Sequence, residues 1–153
     1  YLEDEDGMTK PIPQDTFLEA GKAAVLIPFE QSAEDFKAAW GQQITVYRLE
    51  QWHRSGMGGL ANNPNSSNEI LAIRTAEGKL VDQVNFKDQQ EWPTDDPDGP
   101  SIYLQPDGLE STLNDDGTHW SRSQLEVDGA YQNKPTEDFD GKDIGSPGIV
   151  KTL

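Results

Sequence analysis

An acidic loop near the C-terminal end of the sequence is the best candidate for chemistry. It reads Asp-Phe-Asp-Gly-Lys-Asp, and a turn at its glycine could bring together the carboxylates of Asp138, Asp140 and Asp143. Carboxylate oxygens at about 2.3–2.6 Å are the ligands that Ca²⁺ prefers. The loop lacks the later ligands and the bidentate glutamate of an EF-hand, so a calcium site and a plain acidic turn both remain open. Ca²⁺ is the only cofactor that the sequence suggests.

Three tryptophans, Trp52, Trp92 and Trp120, lie in or beside predicted loops. An exposed indole there could stack on a sugar ring, which makes these residues candidate ligand contacts. The alternative is that the rings plug the ends of a β-sandwich, because large aromatic side chains supply much of a small core.

No catalytic motif is present. His53 and His119 are far apart in sequence, and neither lies in the spacing of a zinc site. The sequence has neither a nucleophile elbow nor a phosphate-binding loop. Any two of its 28 acidic residues could be chosen as a carboxylate pair, and no pair is distinguished. We therefore predict no catalytic residue, and a hydrolase of unrecognised type is the least favoured function.

The composition limits the partners of this chain. Its 153 residues suit one domain, and its 28 acidic and 12 basic residues give a formal net charge of −16. Such a field repels phosphate backbones, so direct nucleic-acid binding is disfavoured. The absence of cysteine excludes disulfides, and no apolar run is long enough for a membrane span.

Short apolar segments separated by turn residues predict an all-β fold with long loops. The predicted strands are Ala23–Phe29, Ile44–Leu49, Ile70–Thr75, Leu80–Phe86 and Ser101–Gln105. The third and fourth strands form the clearest hairpin, with Gly78 able to take a positive φ. Asp82 lies on the more apolar face of that hairpin, where we expect a satisfied polar group or a strand-end position rather than a catalytic carboxylate. Beyond Gly108 we predict little regular structure.

One short helix is predicted over about residues 32–40. Ser32 can cap its N-terminus, Gly41 can end it, and Phe36 and Trp40 are spaced to share its buried face.

The order of these segments resembles that of bacterial lamin tail domains. The matching segments, in chain order, are AAVLIPF, SAEDFKAAWG, Gly58-Gly59-Leu60, the hairpin from Glu69 to Phe86, Trp92-Pro93, Gly99 to Leu104, His119-Trp120 and Gly145 to Gly148. The resemblance implies an immunoglobulin-like β-sandwich over residues 1–148, followed by a tail at 149–153. Of the family's opening strands only residues 1–4 have a counterpart, and 125–142 is longer than the family's usual ending, as an insertion would be.

Two non-catalytic functions remain open. The resemblance implies an interaction or spacer module of a larger secreted or cell-surface bacterial protein, whose partner is a protein or a surface glycan. Its binding loops would be residues 50–68, 93–100 and 125–143. The alternative is a calcium-stabilised carbohydrate-binding module. If opening strands are missing, an exposed sheet edge would also favour a dimer of the fragment.

Overall fold

The computed structural model describes residues 1–4, 6–13, 16–52, 69–86, 91–94 and 99–150. It is mainly β, with one short helix and several small sheets. The strands are β1 (Leu2–Glu3), β2 (Ala24–Pro28), β3 (Thr45–Leu49), β4 (Glu69–Arg74), β5 (Leu80–Phe86), β6 (Ile102–Leu104), β7 (Trp120–Arg122), β8 (Tyr131–Gln132) and β9 (Ile144–Gly145), and the helix is α1 (Ala33–Trp40). In the described part of the chain, no helix is both long and apolar enough to cross a membrane.

The predicted helix is confirmed, together with its caps. The Ser32 hydroxyl accepts a hydrogen bond from the Asp35 amide at 3.1 Å, which satisfies one of the free N–H groups of the first turn. Gly41 ends the helix with φ +140°, a conformation that side chains rarely adopt.

The predicted hairpin is also confirmed. Strands β4 and β5 pair antiparallel, and Gly78 in the turn between them has φ +82°. Asp82 accepts a hydrogen bond from the Asn114 side-chain amide at 3.1 Å, so it is a satisfied polar group, as predicted. Strand β1 adds to the other side of β4 and completes a three-stranded sheet.

Strands β2 and β3 pair in parallel, which the sequence analysis did not predict. Parallel neighbours need a crossover connection, and α1 provides it between them. One face of this pair packs Ile27 against Phe36 and Trp40 of the helix. The other face packs Leu26 and Leu49 against apolar residues of β1 and β4.

The C-terminal third is more ordered than predicted. Strand β6 was predicted, but its partner β7 and the pair β8–β9 lie beyond Gly108, where we expected little regular structure. These strands have only two or three residues each, too few for a periodic pattern to indicate them. The residues Ile27, Phe36, Ala39, Trp40 and Ile44 form an apolar cluster around α1, the helix cluster. Tyr131 and Phe139, which lie in the segment considered as an insertion, pack against it.

Candidate functional site

A groove of about 760 Å³ lies at the start of the parallel pair. Its walls come from the segment that leads into β2, the beginning of β3, Tyr131 and the chain near Gly148. A glycine fits at position 148 because a Cβ atom there would lie only 3.3 Å from the Ile44 side chain, and because its φ is +75°. The groove thus brings together segments that are far apart in sequence.

Apolar side chains of this groove are left in contact with solvent. Phe17 is 78% exposed, and Leu18, Ile149 and Val150 are each more than 40% exposed. The Tyr47 hydroxyl donates a hydrogen bond to the Phe17 carbonyl at 2.9 Å, which anchors the segment that carries the exposed ring. Clustered exposed apolar residues, unlike scattered ones, mark sites of interaction.

The polar residues of the groove are few and mixed in character. Glu19, Lys22, Gln43 and Thr45 lie among the lining residues, where they could orient a ligand by hydrogen bonds. Burial raises the pKa of the Tyr131 phenol, so its hydroxyl stays a neutral donor. That hydroxyl donates to the Trp40 carbonyl and so joins the groove to the helix cluster.

The acidic loop does not bring its three aspartates together as one ligand set. Asp140 pairs with Lys142, with 2.7 Å between its Oδ2 and Nζ, and Asp143 accepts a hydrogen bond from the Asn133 side chain at 2.8 Å. Asp138 is held by its backbone amide, which donates to Asp35 at 3.0 Å. Among the residues that the structure describes, no group of three or more His, Cys, Asp or Glu side chains could hold a metal ion.

Hydrogen bonds lower the pKa of two carboxyl groups, one beside this loop and one within it. The Thr136 hydroxyl, 2.7 Å from an Asp35 oxygen, is the main cause of the lowered pKa of Asp35. The Lys142 side chain is the main cause of the lowered pKa of Asp140. Both carboxylates are therefore committed to local partners.

The candidate tryptophans contribute to packing. Trp92 is 8% exposed and lies against Trp120, with ring centroids 5.5 Å apart, and against Phe86. The Trp120 indole N–H donates to the Asn114 carbonyl at 2.9 Å. Trp52 is half-buried and packs against the apolar cluster between β1 and β3. None of the three lines the groove in the described part of the chain.

Of the predicted binding loops, only part can be placed. Residues 53–68, which include His53 and Gly58–Leu60, and residues 95–98 lie outside the described residues. The 125–143 loop contributes Tyr131 to the wall of the groove, and a Cβ atom added at Gly129 would lie 3.0 Å from the Ile149 side chain.

The groove residues were missed by sequence reasoning. The available signal was the apolar pair Phe17-Leu18 within a polar stretch, together with the pair Ile149-Val150. Each pair alone is ordinary for a surface, and only the fold shows that they meet.

Comparisons with known protein families, with curated proteins and with solved structures found no match to this chain.

Proposed function

We propose that this chain is a non-catalytic interaction module of a larger secreted or cell-surface bacterial protein, and that the groove beside Phe17 is its binding surface. The observation that carries the proposal is the cluster of four exposed apolar side chains around a groove of about 760 Å³. A partner that covered them would remove apolar surface from water, which drives most protein association.

The proposed scaffold is an immunoglobulin-like β-sandwich. One apolar cluster supports it, because this cluster includes Leu26 and Leu49 of the parallel pair and also Leu2 and Leu71 of the three-stranded sheet, as is usual between two packed sheets. The order of the sequence segments, which resembles that of lamin tail domains, supports the same scaffold and the proposed location.

The partner class that we favour is a protein. Leu18, Ile149 and Val150 are aliphatic, and burying them against the hydroxyl groups of a sugar would gain little. The carbohydrate-binding alternative rests on the exposed Phe17 ring and on Tyr47 and Tyr131, which also line the groove. It predicts binding of a sugar that Phe17→Ser weakens.

The proposal is tested by titrating ¹⁵N-labelled protein with three decapeptides that alternate Val with Lys, Ser or Glu. At least one peptide should shift the amide signals of Thr45, Tyr47 and Gly148. Phe17→Ser should weaken that binding about tenfold or more, because it removes the most exposed apolar anchor.

Leu109→Ser is the matched control, because Leu109 is 57% exposed and does not line the groove. Its binding should equal that of the parent protein. If no peptide shifts the groove amides, or if Phe17→Ser binds as tightly as Leu109→Ser, the proposal fails. The same titration with cellohexaose and chitohexaose tests the carbohydrate alternative.

A further inference from the structure

Within the described residues, the outer edge of β3 carries backbone groups that have no hydrogen-bond partner. Successive residues of a strand direct their N–H and C=O groups to opposite sides. The Leu49 carbonyl accepts from the Phe29 amide on the β2 side, whereas the Glu50 carbonyl accepts from the Lys10 amide on the outer side. Val46 and Arg48 therefore face outward, and within the described residues their backbone groups have no hydrogen bond on that side.

In its described residues, the chain's own segment beside β3 does not bond to the backbone of Val46 or Arg48. Lys10 donates to the Glu50 carbonyl, so by the same alternation Ile12 also directs its backbone groups toward β3, whereas Pro11 and Pro13 direct theirs away from it. Where the structure describes this segment, Ile12 makes no backbone hydrogen bond with Arg48, so the segment does not pair there as a third strand. An edge with free N–H and C=O groups is a template for an extended chain from elsewhere.

The open edge and the groove are adjacent. Thr45 and Tyr47 flank Val46 in sequence, and both line the groove beside Phe17. An extended segment paired with this edge would therefore have a bulky apolar side chain within reach of the exposed aromatic ring. Strand pairing supplies affinity through the main chain, and the neighbouring groove supplies specificity.

Charge indicates which kind of segment fits. The chain has a formal net charge of −16, so a second copy of it and an anionic partner would both be repelled. Glu19 lines the groove, and Glu126 and Asp128 are exposed in the turn whose Gly129 lies against Ile149. Lys22 is the one basic side chain among the described lining residues. A cationic segment is the complementary partner.

We propose that the groove binds an extended, positively charged segment of a partner protein, which pairs with the outer edge of β3 at Val46 and Arg48 and places an apolar side chain beside Phe17. This inference rests on the proposed function and specifies the partner class and the binding mode.

The test compares five decapeptides by fluorescence anisotropy. They are alternating Lys–Val, Glu–Val and Lys–Ser, and two forms of Lys–Val that carry N-methyl groups on all valines or on all lysines. Lys–Val should bind about tenfold or more tightly than Glu–Val, which lacks complementary charge, and than Lys–Ser, which lacks apolar anchors. At least one N-methylated form should bind about tenfold more weakly, because it has lost the N–H groups on one edge.

Amide hydrogen exchange supplies the second measurement. The Val46 and Arg48 amides should exchange more slowly in the Lys–Val complex than in the free protein, and the Val81 amide of β5 should not change. If exchange at Val46 and Arg48 is unchanged, or if both N-methylated forms bind like the parent peptide, strand pairing is overturned while groove binding can stand.

Three other results would also decide the question. Tightest binding of Glu–Val, or equal binding of Lys–Ser, would overturn the cationic apolar partner. A dimer in sedimentation velocity that Phe17→Ser dissociates would show that a second copy takes the groove. If none of the alternating peptides binds, the proposed function itself fails.

Discussion

The helix cluster and the groove use similar side chains in opposite ways. Around α1, Trp40 stacks with Phe36 and meets the edges of Tyr131 and Phe139, so each of these rings is covered by others. In the groove, Phe17 remains 78% exposed. Apolar surface that is already buried contributes to stability, whereas apolar surface left in water is available to a partner. The helix cluster should therefore govern folding, and the groove should govern binding.

The sharpest test of this difference compares Trp40→Ala with Phe17→Ala. Trp40 is 9% exposed, and its truncation should lower the free energy of unfolding by about 3–5 kcal/mol. Phe17→Ala should change it by no more than about 0.5 kcal/mol, as is usual for a surface site. Urea unfolding followed by circular dichroism measures both values. A large loss of unfolding free energy in Phe17→Ala would mean that the Phe17 ring stabilises the fold, and the groove would then not differ from the helix cluster.

Phe86, Trp92 and Trp120 form another group of packed aromatic rings, which should contribute to stability as the helix cluster does. A Cβ atom at Gly117 would lie 2.7 Å from two ring carbons of Trp92 and 2.7 Å from its backbone nitrogen. Gly117→Ala should therefore lower the free energy of unfolding by about 1–3 kcal/mol, the usual cost of overpacking. Thermal unfolding measures this loss. Unchanged stability would mean that the Trp92 ring can move out of its place, which would favour its predicted role as a ligand contact.

Local signals in the sequence predicted the elements that local physics determines. The Ser32 cap and the spacing of Phe36 and Trp40 indicate α1 without reference to the rest of the chain. The β4–β5 hairpin follows from two alternating strands around Gly78.

The missed features depend on contacts between distant segments. The parallel pairing of β2 with β3 depends on how α1 packs back on them, and neither strand alone encodes its direction. The groove joins residues near Phe17 to residues near Ile149, more than a hundred positions later. Three acidic residues with metal-like spacing suggested a calcium site, but hydrogen-bond partners such as Asn133 and Lys142 are visible only in the structure.

Asp35 should show a smaller effect, which depends on pH. Its carboxylate accepts hydrogen bonds from the Thr136 hydroxyl and from the amides of Glu137 and Asp138, and so ties the acidic loop to the start of the helix. These bonds lower its pKa below the ordinary value of 3.8. The charged form is therefore favoured by folding, and the stabilisation is present at neutral pH and lost as the pH falls through the lowered pKa.

Asp35→Asn should accordingly have a lower melting temperature than the parent protein at pH 7, and the gap should narrow below about pH 4. Glu34→Gln is the matched control, because Glu34 lies in the same helical turn and bonds to Ser32 but not to the acidic loop. A gap that is constant with pH, or an equal loss in Glu34→Gln, would show that the loop is not held by the Asp35 charge.

The smallest effect is expected from calcium. Asp140 is already bonded to both the backbone amide and the side chain of Lys142, at 2.9 and 2.7 Å, and a Ca²⁺ ion would have to displace that lysine. Melting temperatures measured with excess chelator and with millimolar calcium should therefore agree within about one degree, because an ion that does not bind the folded state cannot stabilise it. A rise of several degrees that Asp140→Ala abolishes would instead support the calcium-stabilised alternative. The acidic loop would then be a second binding region beside the groove, and a sugar screen in calcium would become the decisive experiment.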